Sequence, residues 1–307
     1  MAIITLGTMA FDAIETPFGK IDKIIGGSAT YVAYAASQLA TPIQQISIIG
    51  SDFPEEELNA LKGRGVQLDG VEIVKDKKSF FWSGKYHLDM NTRDTLITDL
   101  NVLADFEPKV PEQYQGAEFL MLGNLMPSLQ INVINQLRKR PELIVLDTMN
   151  FWMESALEDL KKVLTMIDVL MINDSEARQL SNEYSLVKAS KKILSMGPKF
   201  LIIKKGEHGA LLFHEDHVFF APALPLEEVF DPTGAGDTFA GGFIGHLAHT
   251  KNISFENMKT AIIVGSAMAS FCVEKFGPQR LKEITKKDID KRLKEFVQLV
   301  NFDIDMV

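Results

Sequence analysis

The 307-residue sequence predicts an α/β fold: a mostly parallel central sheet with helices on both faces and a small antiparallel insert. Three observations predict it. Short apolar runs ending in Gly, Asp or Asn alternate with stretches of helical period, which is the rhythm of successive β-α-β units. Between Val71 and Leu100 the rhythm gives way to short β-branched and aromatic segments such as "SFFWSGKY", with no helix to cover them. The last third is helical almost throughout.

Taken in order, "AIITLG" reads as an edge-to-core strand, Ser28 to Ala40 as a helix, "QISIIG" as a strand and Pro54 to Lys62 as a helix. Asp52 followed by Glu55 has the spacing of a capping box, which places the start of that second helix. The rhythm resumes in "EFLMLG" (Glu118 to Gly123), "LIVLD" (Leu143 to Asp147), "DVLMIN" (Asp168 to Asn173) and "FLIIKKG" (Phe200 to Gly206). Each run closes on a polar residue or glycine, at the strand end where open α/β sheets keep their sites. Helical patterns cover Ala235 to His249, Phe255 to Glu274 and Lys286 to Val300. No internal repeat, low-complexity tract or linker divides the chain, so residues 1–307 are expected to form one domain. Its lid is formed mainly by about residues 71–100 with the 12–25 segment.

Composition narrows the functional classes. With 46% hydrophobic residues a sizeable core is available, and 41 acidic against 32 basic residues give a net charge of −9. That balance disfavours nucleic acid or an anionic membrane surface as the main partner, so any phosphate must be held locally by backbone amides or a metal. The single cysteine, Cys272, excludes an internal disulfide framework and reads as a small core residue. His208, His214 and His217 lack metal-ligand spacing and read as surface positions in a strand-turn region. The N-terminal residues lack a basic secretory signal, and no window approaches the roughly 18 apolar residues of a membrane span. A soluble, cytoplasmic protein is expected.

The stretch "DPTGAGDTFAGGF", residues 231–243, carries the chemistry. Phe239, Phe243 and Leu247 recur at helical spacing, which places Gly234, Ala235, Gly236 and Asp237 on the first turn of a buried helix. Free amides, a positive dipole end and small residues there suit an anion. The spacing is neither G-x-G-x-x-G nor a Walker loop. Asp237 also stabilises a first turn, but beside an anion it makes sense as a base aimed at a hydroxyl, an arrangement suited to phosphoryl transfer.

At this length the stretch resembles the C-terminal motif of the ribokinase-like (PfkB) family of sugar and nucleoside kinases. The likeness runs along nearly the whole chain in the same order: "TLGTMAFD" with Asp12, "IGGSATYVAYAASQLA" with Gly26-Gly27, "NDSEA" with Asn173 and Glu176, and "KKGEHGALLF" with Gly206 and Gly209. The resemblance implies a three-layer α/β/α sandwich with a β-lid and an ATP- and Mg²⁺-dependent kinase. It implies Asp237 as general base and the amides of Gly234, Ala235 and Gly236 as an anion hole. ATP contacts are implied at Asn173, Lys205, Gly206, Gly209, Gly236, Ser266 and Gly277, and substrate contacts at Asp12, Gly26, Gly27, Tyr31, Arg93 and Asp237. Mg²⁺ is implied at Asn173 and Glu176 through water, and a monovalent cation such as K⁺ at Asp231 and Thr233.

Read without the resemblance, Asn173 and Glu176 serve equally as a helix cap, Gly206 and Gly209 as a hairpin turn, and Asp12 as a solvated loop acid. Departures from the family pattern bear on the acceptor. Tyr31 stands where sugar kinases commonly carry Asn, Arg93-Asp94-Thr95 has an inserted acid, "LDTMN" replaces Asp-Pro-Asn, and Ser266 stands near an Asn of some relatives. The expected reaction is ATP-dependent phosphorylation of a hydroxymethyl group on a sugar or sugar-derived metabolite. A nucleoside kinase, with Tyr31 and Trp82 as stacking rings, is the alternative in the same chemistry, and a non-catalytic metabolite sensor the alternative outside it; Tyr31, at helical spacing with Val32, Ala35 and Leu39, reads equally as a core residue. The insert, bearing Phe80, Phe81 and Trp82, is expected to be a mobile lid that either pairs with a second subunit as a homodimer or folds back on its own domain.

Overall fold

The computed structural model describes residues 1–301. The strands are β1 (Ile3–Leu6), β2 (Ala10–Thr16), β3 (Gly19–Gly26), β4 (Ile43–Gly50), β5 (Val66–Val74), β6 (Phe80–Tyr86), β7 (Arg93–Asp99), β8 (Phe119–Leu122), β9 (Leu143–Asp147), β10 (Val169–Asn173), β11 (Phe200–Lys204), β12 (Ala210–His214) and β13 (His217–Ala221). The helices are α1 (Ser28–Ala36), α2 (Glu55–Gly63), α3 (Pro127–Gln136), α4 (Asn150–Ser155), α5 (Leu157–Leu164), α6 (Asp174–Ser181), α7 (Leu186–Leu194), α8 (Ala235–Thr250), α9 (Phe255–Cys272), α10 (Gln279–Glu283) and α11 (Lys286–Val300).

Nine strands form the large sheet in the order β13-β12-β11-β10-β9-β8-β1-β4-β5. The pairings from β11 through β5 are parallel, and only the β11-β12 and β12-β13 pairings at one edge are antiparallel, so that β12 alone runs against the rest. The central strands are buried on both faces, so their sequences are continuous apolar runs rather than alternating ones. One face packs on a core that includes α1, α8 and α9, and the other on a core that includes α3, α5 and α7. β1, read from sequence as an edge-to-core strand, lies well inside the sheet between β4 and β8.

Helix α8 sits in this core with its backbone close to both neighbours. A Cβ on Gly241 would lie 2.6 Å from the Val32 carbonyl oxygen of α1, and one on Gly242 would lie 3.0 Å from the Cα of Gly265 in α9. Phe243, fully buried between them, supplies apolar area whose removal to Ala costs about 3–5 kcal/mol in such cores.

A second sheet of four strands, β3-β2-β6-β7, stands apart from the first. Two sequence expectations are corrected here. The insert does not begin at Val71: β5 continues to Val74 beside β4 in the large sheet, because bare Gly70 lets the strand pass the Gln45 carbonyl oxygen, only 2.5 Å from where a Cβ would stand. Asp52 does not cap α2, which begins after Pro54 without a side-chain cap. The Asp52 carboxylate instead accepts from the amide of Ser79 at 2.7 Å and its hydroxyl at 2.8 Å, fixing the entry to β6.

Candidate active site

The first turn of α8 is built for close approach. Gly234 is the N-cap in the left-handed region at φ 76°, and a Cβ there would lie 2.3 Å from the Tyr31 ring. No side chain caps the helix. The Ala235 amide donates to the Pro232 carbonyl at 3.2 Å and is engaged in the turn. The amides of Gly234 and Gly236 donate to no protein acceptor among the described residues and stand at the positive end of the helix.

Asp237 follows directly. Burial, and after it the negative charge of Asp147, pushes its carboxyl up to about 7, while Lys204, Arg93 and its own amide pull the other way. A carboxylate poised there can take a proton at neutral pH. Lys204 ends β11 and Asp147 ends β9, with β10 between them, and the Lys204 ammonium donates to the Asp147 carboxylate at 2.7 Å.

Asn173 and Glu176 close β10 and open α6 as a capping box. The Asn173 side chain accepts from the Glu176 amide at 2.8 Å, and the Glu176 carboxylate accepts from the Asn173 amide at 2.7 Å. Burial raises the Glu176 carboxyl to about 7 against the Asn173 amide and Lys204. Capping does not consume the pair, since Oε1 of Glu176 and the side-chain nitrogen Nδ2 of Asn173 have no partner among the described residues. Among the described residues no group of three or more His, Cys, Asp or Glu side chains is placed to hold a metal directly. The donor set therefore fits a hydrated Mg²⁺, which keeps most of its waters, and not a dehydrated ion.

Across the site lies Asp12 on β2. A Cβ on Gly26 would fall 1.9 Å from its carboxylate, so only glycine admits the side chain there. Burial, then Asp231 and Asp237, pushes the Asp12 carboxyl up to about 8, opposed by a hydrogen bond from the Gly27 amide. Gly27, at φ 93°, presses against the Thr8 carbonyl and starts α1.

The loop before α8 is braced by Asp231, whose carboxylate accepts from the amides of Thr233 at 2.8 Å and Gly277 at 2.9 Å. Burial raises its pKa despite these bonds. The Thr233 hydroxyl donates to the Tyr86 hydroxyl of β6 at 3.1 Å and so ties this loop to the small sheet. Gly206 and Gly209, at φ 55° and 82°, form the turn from β11 to β12. Gly206 approaches the Asn91 side chain, in the loop joining β6 to β7, closely enough that a Cβ would meet it at 2.5 Å.

Several sequence candidates lie elsewhere or act differently. Tyr31 is 1% exposed, its ring against Gly234, so of its two readings the packed one holds and it is a buried support of the Gly234 turn, not a stacking ring. Its hydroxyl has no hydrogen-bond partner among the described residues. Lys205, expected at ATP, opens the turn after β11, while the lysine whose charge acts on Asp237 is Lys204, one position earlier. Ser266 is buried within α9. Arg93 starts β7, with its guanidinium 5.8 Å from the Trp82 ring centre, and its charge reaches Asp237 and Glu176. Sequence reading missed Lys204, Asp147 and Tyr86. The available signal was the polar residue closing each of "LIVLD" and "FLIIK", at the strand ends that converge on the site.

Two amides without protein acceptors at a helix start, with the buried carboxyls of Asp237 and Asp12 near them on a doubly wound α/β fold, have the chemistry that phosphoryl transfer requires. Residues 4–285 match the profile of the pfkB family carbohydrate kinases. The chain belongs to that family and is a sugar or nucleoside kinase. It is 27% identical over 252 residues to a cytidine kinase of Thermococcus kodakarensis, covering 79% of this chain and 87% of the relative. In structure it is similar to the Methanocaldococcus jannaschii nucleoside kinase, with a TM-score of 0.76, 20% identity and coverage of 96% and 98%. It is likewise similar to Arabidopsis thaliana ribokinase complexed with ribose and ATP, with a TM-score of 0.76, 22% identity and coverage of 96% and 99%. Among the described residues no helix is long and apolar enough to cross a membrane.

Proposed function

We propose that the chain transfers the γ-phosphoryl group of ATP to the hydroxymethyl oxygen of a nucleoside. The observation that carries the nucleoside reading is Trp82. It is the register partner of Asp12 on the adjacent strand, so both side chains leave the small sheet on one face. An indole beside a hydroxyl-binding carboxylate suits a base attached to a ribose. The likeness to the Thermococcus cytidine kinase supports the same choice.

In this reading Asp12 accepts hydrogen bonds from the ribose hydroxyls, and the bare backbone at Gly26 and Gly27 lets the ring approach. Asp237 takes the hydroxymethyl proton as that oxygen bonds to the γ-phosphorus and the bond to the β-γ bridging oxygen breaks, releasing ADP. The amides of Gly234 and Gly236 meet charge on the equatorial oxygens, a contribution worth about 10²–10³-fold per donor in comparable sites. Bound Mg²⁺ would neutralise phosphate charge, with Asn173 and Glu176 holding its waters. Asp231 and Thr233 are the residues that would meet a monovalent cation. A free pentose is the second reading: Arg93 takes one face of the Trp82 ring, which leaves the carboxylate and the glycine backbone for an unsubstituted sugar.

A coupled ADP-release assay over nucleosides, ketoses, aldoses and sugar acids tests the proposal. Turnover should be fastest with nucleosides, and Trp82→Ala should raise the nucleoside KM by about 5–10-fold without changing ATP affinity, the scale of one lost stacking contact. Turnover confined to free sugars would overturn the nucleoside assignment, and ATP binding without turnover of any acceptor would return the sensing role.

A further inference from the structure

Lys204 is a half-buried cation with donors to spare. Its ammonium carries three N–H groups, and the Asp147 carboxylate is its one protein acceptor among the described residues, at 2.7 Å. Both side chains are largely shielded, at 19% and 8% exposure. The pair lies against the anion turn: a Cβ on Gly236 would stand 3.0 Å from the Lys204 nitrogen and 4.0 Å from the Asp147 carboxylate. Absence of a side chain at Gly236 thus opens the turn to the ammonium as well as to an anion.

The surroundings are strongly acidic. Asp147, Glu176 and Asp237 all act on Lys204; burial works against its charge, but together they hold its proton more firmly than in an ordinary lysine. A nucleotide phosphate entering between Asp237 and Glu176 meets these carboxylates before any solvent counter-ion. A fixed cation at the free amides is what such a site needs. With Asp147 taking one donor, the other two N–H groups are available to water or to a phosphate oxygen beside Gly236.

We infer that Lys204, held in place by Asp147, is a charge-stabilising residue of the transferring phosphoryl group, its ammonium shared between the Asp147 carboxylate and a phosphoryl oxygen near the Gly236 amide. Asp147 is then a positioning residue, acting through Lys204. The inference rests on the phosphoryl-transfer reading and adds a side-chain cation to its backbone amides. Lysine acts here as a point charge and forms no covalent bond to phosphorus.

The test compares wild type with Lys204→Met, Lys204→Arg and the double variant Lys204→Met/Asp147→Asn. Kinetics would use the best wild-type acceptor, and calorimetry would measure MgADP and MgADP with aluminium fluoride, which mimics the transferring group. For Lys204→Met the expected result is kcat lower by about 10²-fold or more with acceptor KM within about 3-fold, the pattern of an interaction made in the transition state. Affinity for the aluminium fluoride complex should fall by a similar factor while affinity for MgADP holds, and Lys204→Arg should recover part of both. Because Lys204→Met leaves Asp147 buried without its cation, the double variant guards against simple misfolding and should show the same two losses. Wild-type turnover in the same assay tests the phosphoryl-transfer reading by itself. The Lys204 inference falls if the double variant keeps kcat within about 3-fold of wild type, or if MgADP and the aluminium fluoride complex weaken equally.

Discussion

Two glycine-bearing helix starts face each other across the site, and they do different work. At α1, Gly27 is the N-cap at φ 93°, and every early amide finds a protein acceptor: Ser28 donates to the Thr8 hydroxyl, Ala29 to the Thr8 carbonyl, and Thr30 and Tyr31 to the Gly27 carbonyl. At α8, Gly234 is the N-cap at φ 76°, and the amides of Gly234 and Gly236 are left over. Neither helix has a side-chain cap. In sequence the two junctions look alike, as glycines ahead of an apolar helix. The difference is whether the preceding loop folds back over the amides. Thr8 does so at α1, which reserves its glycines for the approach of Asp12, whereas the Asp231-braced loop stops short at α8 and leaves the helix end open.

Four measurements would break or sharpen this contrast. The largest effect is expected at the open junction: Asp237→Asn should lower kcat by about 10²–10⁴-fold with ATP affinity retained, the range for a lost general base. An Asn variant with near-normal turnover would remove Asp237 from the chemistry. Next, Gly236→Val should cost about 10²-fold in kcat, because its side chain would fill the space before the free amide and displace the Lys204 ammonium. Unchanged kinetics there would mean that α8 is as closed as α1.

A third, smaller effect belongs to the closed junction. Gly26→Ala places a methyl on the Asp12 carboxylate and should raise the acceptor KM about 10-fold while ATP binding stays as it was. Loss of ATP affinity instead would show that the two junctions are not separate. The smallest effect is on stability. The Asp237 carboxyl, at about 7, is raised above its unfolded value of about 4, so its favourable contribution is complete below pH 4 and is lost as pH climbs through 7. The Tm of wild type should therefore decline between pH 5 and about 8 more than that of Asp237→Asn, with Asp147, Lys204, Arg93 and Asp12 unchanged around it. Parallel Tm profiles for the two proteins would contradict the raised carboxyl.

Much of this arrangement was legible in the sequence because the signals were local. Strands β8 to β11 announce themselves as apolar runs with polar ends, and Gly234 to Asp237 could be placed on a helix start from Phe239, Phe243 and Leu247 alone. What escaped depends on distance. Nothing near Lys204 distinguishes it from Lys205; only the strand's alternation, together with Asp147 two strands away, selects it. Tyr31 reads equally as a core ring and as a stacking ring, because its own helix gives no hint that Gly234 will close over it. Asp52 matched a capping spacing, yet Ser79 competed for its carboxylate from a segment 27 residues away. Gly70 in the middle of β5 concealed that the strand continues into the large sheet.

The close seating of α8 sets the mechanical tolerances of the site. Since Gly241 brings α8 against the backbone of α1, and Gly242 brings it against that of α9, the open junction and Gly27 ride on a single rigid frame. Asp12 stands on β2, in the four-stranded sheet, but it too is tied to the frame: its carboxylate accepts from the Gly27 amide and packs over Gly26, Phe11 beside it joins the core shared with α1 and α8, and Tyr86 of β6 meets Thr233. Displacing the small sheet would therefore break the Gly27 bond to Asp12 and the Tyr86 contact together. For the proposed reaction this makes the distance between the two carboxylates a property of the backbone, set where Gly27 starts α1 and Gly234 starts α8.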